Sequence, residues 1–263
     1  MRPEWSIIIL TVLAGVGQGI FFFLVGFDLV SPLADRGVNP WQVAAACALA
    51  AAFGGAGAGA SFLHLHNKQR AAKAFAQWRF SWLSREALLL PVFLGAVVMY
   101  GGLTLIGVTG VVRTVVGVTG VASGIALSVA QGMIYAVVKS IREWATPYTP
   151  LNFVLLGLAT GAVALGATFQ IVGAPSAVIL TTVRAAIGFT AVAFAVKALT
   201  FRFNDTAWRS TSLRTATGFR SDEIMLTDTG CSYAHYNTKE YFDAAAKKEI
   251  GAMRWGVAVA HFL

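Results

Sequence analysis

Runs of some twenty apolar residues recur along this chain, the length a helix needs to cross the hydrocarbon core of a bilayer. They fall at about 5–30, 41–63, 87–107, 113–138, 151–172 and 177–200, which predicts an all-α, polytopic transmembrane helix bundle of six spans. Pro and Gly punctuate the turn at 31–40 (SPLADRGVNP). The breaks after 107 (GVTGVV) and after 172 (GAPS) are only a few residues long, whereas 64–86, 139–150 and 201–253 are longer and polar. The first run is too long for a signal-peptide core and lacks a small-residue cleavage site before a polar start, so it reads as a retained span. A last apolar run, RWGVAVAHFL at 254–263, has ten residues, too few to cross. It reads as the start of an incomplete seventh span, and the chain as a fragment of a longer protein. The domains expected are therefore a helix bundle over 1–200, a polar loop over 201–253 and the stub over 254–263.

Composition sharpens this picture. Apolar residues make up 57% of the chain and charged residues 12%, against about 25% charged in soluble domains. The net charge of +8 belongs to membrane topology, not to nucleic acid. Of the Lys and Arg residues, seventeen fall on the amino-terminal side of the predicted spans and three (Arg36, Arg113 and the deeper Arg184) on the other. Cytoplasmic loops carry the excess of cations, so the amino terminus and the three long loops are expected in the cytoplasm. Gly15 and Gly19, then Gly120, Gly124, Ser128 and Gly132, place small residues at four-residue spacing, which lets helix backbones approach closely in lipid.

Candidate chemistry gathers around residues 61–86. Read as a helix over Lys68–Leu83, this stretch puts Ala71, Phe75, Trp78 and Trp82 on one face and Arg70, Lys73 and Gln77 opposite, the pattern of a basic amphipathic helix lying in the interface. Phe80 falls on the polar face and is a candidate partner contact. His64 ends the second span and Glu86 opens the third, at the same membrane level. A quinone site needs a proton-exchanging group beside an apolar slot, and an imidazole or a partly desolvated carboxylate fits that role. Each also has a plain structural explanation: Glu86 as a first-turn acid behind a Ser84 cap, and His64 bonded to a backbone carbonyl. Gln18, Gln131 and Gln170 read as inter-helix hydrogen bonders, Asp28 as solvated near the end of the first span, and Arg184 as either snorkelling outward or paired. His64, His66, His235 and His261 include no mid-membrane pair, so no haem is expected; Cys47 and Cys231 make neither a disulfide framework nor a cluster ligand set.

These residues carry a resemblance. Glu4-Trp5 at the first span, SFLHLHNKQRAAKAF followed by LSRE, MIYAVVKSIREWATPYTPLNFVLLGLATG at 133–161 and Arg184 in the sixth span resemble the DmsC-type membrane-anchor subunits of molybdopterin oxidoreductases over residues 1–200. The resemblance implies an eight-helix anchor without haem or iron–sulfur cluster. Such an anchor is a non-catalytic subunit that docks a molybdopterin catalytic subunit and an iron–sulfur electron-transfer subunit, and exchanges electrons with the quinone pool, menaquinone or ubiquinone. It implies a bacterial inner membrane location and a quinone role for His64 and Glu86; Arg85, Arg70 and Trp82 nearby in the sequence are further candidates for that site. Docking would fall to Lys73, Arg79, Arg142 and Arg214, with segment 201–253 as a cytoplasmic docking loop holding a short helix near 238–250.

The charge count puts the histidine loop in the cytoplasm, opposite to the dimethyl sulfoxide reductase anchors, and similar to the anchor of cytoplasm-facing sulfite dehydrogenases. A sulfite-oxidising complex is therefore expected. One alternative is a quinol-oxidising anchor of the dimethyl sulfoxide reductase type in anaerobic respiration. A second is a small-solute transporter, for which inverted repeats and broken midplane helices would be needed and are not legible.

Overall fold

In a computed structural model, which describes residues 5–63, 76–139, 141–207 and 244–260, every regular element is an α-helix. In chain order these are α1 (Trp5–Val30), α2 (Pro40–Leu63), α3 (Trp82–Leu105), α4 (Val111–Ala136), α5 (Tyr148–Ile171), α6 (Ser176–Ala207) and α7 (Ala244–Ala260). The first six are long and apolar enough to cross a bilayer. Several of the hydroxyls they carry into that medium are satisfied by their own helices: Thr104, Thr168 and Thr182 each donate to the carbonyl four residues back.

Two compact units divide the chain, one over Trp5–Lys197 and one from Ala198 onward. In the first, α1 is the hub. Of its apolar window 56% is buried, against 22% for that of α6, and it packs on α2, α4 and α5. Phe21 of α1 meets Phe93 and Tyr100 of α3 edge-on at 6.0 and 5.5 Å, and Phe23 meets Phe189 of α6 at 5.0 Å. Such pairs add to the area they bury.

Glycine decides where the backbones touch. Gly15 and Gly19 face Gly157 and Gly161 of α5, a second small-residue pair at the same spacing; a Cβ at Gly15 would lie 3.4 Å from the Gly157 Cα, and one at Gly161 would fall on the Gly19 backbone. The expected run on α4 behaves differently. Only Gly132 meets backbone, at Pro150, whereas Gly120 and Gly124 leave room for the rings of Phe21 and Phe93. Gly161→Ala is accordingly expected to cost about 1–3 kcal/mol, because two backbones cannot yield as a side chain can. Gly55→Ala, where a methyl would meet nothing within 4 Å, should be neutral or slightly stabilising. Thermal unfolding of the detergent-solubilised protein checks the pair.

The end of the bundle that holds the 31–39, 106–110 and 172–175 turns is tied by side chains. Asp28 of α1 accepts from Arg113 Nη2 at 2.7 Å, from the Tyr100 hydroxyl at 2.8 Å and from the Leu33 N–H at 3.0 Å. Asp28 is thus an ion-pair partner and not a solvated residue, because the α3–α4 turn brings Arg113 directly over it. Gln42 donates to the Val172 carbonyl at 3.0 Å and accepts from Asn39 N–H at 2.9 Å. That is the inter-helix role expected of Gln170, which is exposed and whose side chain makes no hydrogen bond among the described residues. Arg184 is exposed on α6.

Three further boundaries differ from the sequence reading. The third span begins at Trp82, five residues before the apolar run, because Ser81 and not Ser84 is its cap: the extended Ser81 accepts from the Ser84 N–H at 3.4 Å. The interfacial helix expected over Lys68–Leu83 is not continuous, since its described part turns at Gln77–Phe80 and breaks at Ser81, so Trp82 belongs to α3. In the second unit α6 runs on to Ala207, and α7 starts ten residues before the stub expected at 254. There Arg254 reaches both carboxylate oxygens of Asp205 at 3.1 and 2.8 Å and lies over the Phe201 ring at 5.2 Å.

Candidate functional site

Glu86 sits one turn inside α3 at the end of the bundle opposite Asp28, and the helix geometry turns its carboxyl inward. It is only 6% exposed, and its Oε1 accepts from Gln131 Nε2 of α4 at 3.0 Å. Gln131 itself is 1% exposed. A carboxyl buried in a lipid-soluble bundle is costly, and the one charge-stabilising partner it has among the described residues is this amide. A first-turn acid serving the helix dipole would point to solvent; Glu86 does not. The following helical turn carries Pro91, which has no N–H to give the Ala87 carbonyl.

Around this pair the LSRE segment at Glu86 and the segment at 133–161 converge. Gly132, next to Gln131, lets the Pro150 backbone of α5 come against α4. One turn beyond Gln131, the Tyr135 ring meets Trp144 edge-on at 5.3 Å and stacks on Phe153 at 5.7 Å. Thr149 donates to the Trp144 carbonyl at 2.7 Å, and Asn152 to the Tyr148 carbonyl at 2.8 Å, holding the turn before α5. Tyr135, Trp144 and Phe153 therefore form an aromatic cluster at the end of the bundle that holds Glu86.

Of the other expected site residues, Arg85 adjoins Glu86 and so faces another side of the helix, while Trp82, one turn before Glu86, is taken up by Arg85. The Arg85 guanidinium stacks over the Trp82 ring at 4.0 Å and donates to the carbonyls of Trp78 at 3.0 Å and Arg79 at 2.9 Å. It fastens the entry turn to α3 and makes no ion pair with Glu86. Arg79 is exposed beside the Trp78 ring, 5.5 Å from its centroid, Phe80 is 87% exposed, and Arg142 lies on the loop between α4 and α5 at the same end. His64, Arg70, Lys73 and Arg214 lie outside the described residues.

Two groups escaped the sequence reading as parts of a site. Gln131 was legible only as a helix-to-helix bonder, with nothing to say that its partner is Glu86. Gln18 of α1 is bonded through its amide oxygen by the Ser128 hydroxyl of α4, one turn from Gln131. The 3-residue step from Ser128 to Gln131 was the available signal, since it puts both on one helix face. No group of three or more His, Cys, Asp or Glu able to hold a metal ion occurs among the described residues.

Comparison with known proteins places the chain in a family. The family model of the dimethyl sulfoxide reductase anchor subunit (DmsC) matches residues 1–216. A sulfite dehydrogenase subunit of Allochromatium vinosum is 32% identical over 266 aligned positions, covering 97% of this chain and 81% of that protein. No solved structure matches. With a family match across most of its length, and six apolar helices to hold it in a bilayer, the chain belongs to the DmsC family of membrane-anchor subunits of molybdopterin oxidoreductases.

Proposed function

We propose that this anchor exchanges electrons between the quinone pool and an iron–sulfur partner subunit, with Glu86 as the group that holds and passes the proton. The observation that carries the reading is the buried Glu86–Gln131 pair. A quinone becomes a quinol by taking two electrons and two protons, so its site needs a proton-exchanging group in an otherwise apolar wall. Glu86 fits that need, with Gln131 fixing its carboxyl and Tyr135, Trp144 and Phe153 walling the same end of the bundle. His64, the next residue in sequence after α2, is the second proton-handling candidate. Arg85 and Trp82 act at one remove, by anchoring the turn from which α3 starts.

The complex is proposed to oxidise sulfite on the cytoplasmic side of a bacterial inner membrane. The similarity to a protein named as part of a sulfite dehydrogenase supports the substrate. The charge distribution supports the sidedness: alternate crossing puts Arg79, Arg85, Lys139 and Arg142 at the Glu86 end and Arg36 and Arg113 at the other, and cation-rich loops stay inside. A molybdopterin subunit and an iron–sulfur subunit would dock on that face through Arg79 and Arg142; Lys73, Arg214 and segment 201–253 are the further docking candidates in the sequence.

Affinity purification of the tagged chain from mild-detergent membranes tests this. Molybdenum and iron should elute with it, and the eluate should reduce a short-chain quinone when given sulfite. A metal-free eluate containing the chain alone would end the anchor reading of this complex. Quinol-driven reduction without sulfite oxidation would reverse the electron flow to the dimethyl sulfoxide reductase type.

A further inference from the structure

A crevice opens between α1, α4 and α5, lined by Gln18, Gly19, Gly124, Ile125, Ser128 and Gly157 among others. Its open core has a volume of about 20 Å³, enough for one small group such as a carbonyl oxygen. Glycines on all three helices make the space. The Gln18 side chain in its wall is 6% exposed, and the amide nitrogen has no hydrogen-bond partner, because Ser128 engages the oxygen and leaves the nitrogen unmatched. A buried donor left unpaired costs about 1–3 kcal/mol, so a bundle that keeps one here has a use for it.

We infer that this crevice receives a carbonyl oxygen of an apolar ring entering from the lipid, with Gln18 Nε2 as donor, and that the ring is a quinone. The inference rests on the proposed quinone exchange and adds a second contact to it. Three observations choose the ligand. Ile125 in the crevice wall is 40% exposed on a helix apolar enough to cross a bilayer, which gives a route in from the acyl chains. Ser128 lies eight residues from the end of α4, about 12 Å into the membrane at 1.5 Å per residue; that is below the level of lipid ester groups, where quinones dissolve. Apart from Gln18 and Ser128 the lining offers no polar side chain, which leaves a lone water short of the three bonds such waters usually make. Gln131 is the next turn along the same α4 face as Ser128, so the polar end of the crevice adjoins the turn that holds the partner of Glu86.

Photolabelling of the assembled complex in liposomes with a tritiated azido-naphthoquinone tests the assignment without relying on turnover. Label should appear on α1 and α4 peptides, and Gln18→Leu should raise the half-saturating concentration about tenfold, the usual worth of one such hydrogen bond. Ile125→Trp, which adds bulk at an exposed lining residue of the crevice, should do the same if Gln18→Leu fails to assemble. Label that reaches the anchor with unchanged half-saturation in both variants, yet falls in Glu86→Gln, overturns the crevice and keeps the quinone reading. A parent complex that takes no saturable label overturns both. Liposomes of ether-linked lipid give a third arm: if removing ester carbonyls alters labelling as much as Gln18→Leu does, the oxygen is a lipid's and the assignment fails.

Discussion

Glu86→Gln in the assembled complex lowers quinone-linked turnover by at least about a hundredfold, the lower range for loss of a positioned proton-transfer group. Glutamine keeps the size of the side chain, and its amide oxygen can still accept from Gln131 Nε2, the bond now 3.0 Å long. What disappears is the exchangeable proton. Assembly should survive, because removing a buried charge relieves a cost of burial instead of adding one; the amount of complex recovered per cell is the control. Glu86→Asp retains the proton but withdraws it from Gln131 and should fall between the two. Turnover within threefold of the parent in Glu86→Gln would remove Glu86 from the proton path and leave the bundle architecture intact.

The other large effect is expected at the opposite end of the bundle. Arg113→Met strips Asp28 of its cation, and with side chains 15% and 12% exposed the lone carboxylate has little water to turn to. Breaking such a pair from one side costs about 3 kcal/mol, read as a lowered midpoint of thermal unfolding in detergent. Asp28→Asn/Arg113→Met should recover a large part of that loss, since the asparagine oxygen still accepts from the Leu33 N–H, now at 3.0 Å, and no charge remains. A double variant no better than the single one would show that Arg113 contributes by packing on Tyr100, 5.6 Å from its ring, and not by charge.

Neither pair could be read as a pair from the sequence. Asp28 and Arg113 are separated by two spans, and each looked like a polar residue at a helix end. Glu86 and Gln131 both stood out, one as an acid beside a histidine loop and one as a buried amide, yet nothing local says that α3 and α4 turn those faces together. Boundaries failed for a related reason. The apolar run marks the third span, but its helix is started by Ser81, and its first turn carries the polar Ser84 and Arg85, which lie ahead of that run. The α1–α5 contact is half legible: the Gly15–Gly19 spacing marks one surface, and the matching surface at Gly157–Gly161 carries the same mark.

What the sequence determined alone was the number and placement of apolar helices, the crowding of cations on one set of loops, and membership of an anchor family by its LSRE and TPLNF segments. These are properties of solvent preference and local motif, the first summed over about twenty residues at a time, so no partner helix is needed to express them. The tertiary structure decided which helix is the hub, which glycines meet backbone and which meet rings, and which buried polar group answers which. In lipid every side chain is surrounded by apolar matter whichever way it faces, so hydrophobicity cannot set the rotation of a helix about its axis. Close packing and the few hydrogen bonds of Gln18, Glu86, Gln131 and Asp28 set it, and those exist only once the helices have met.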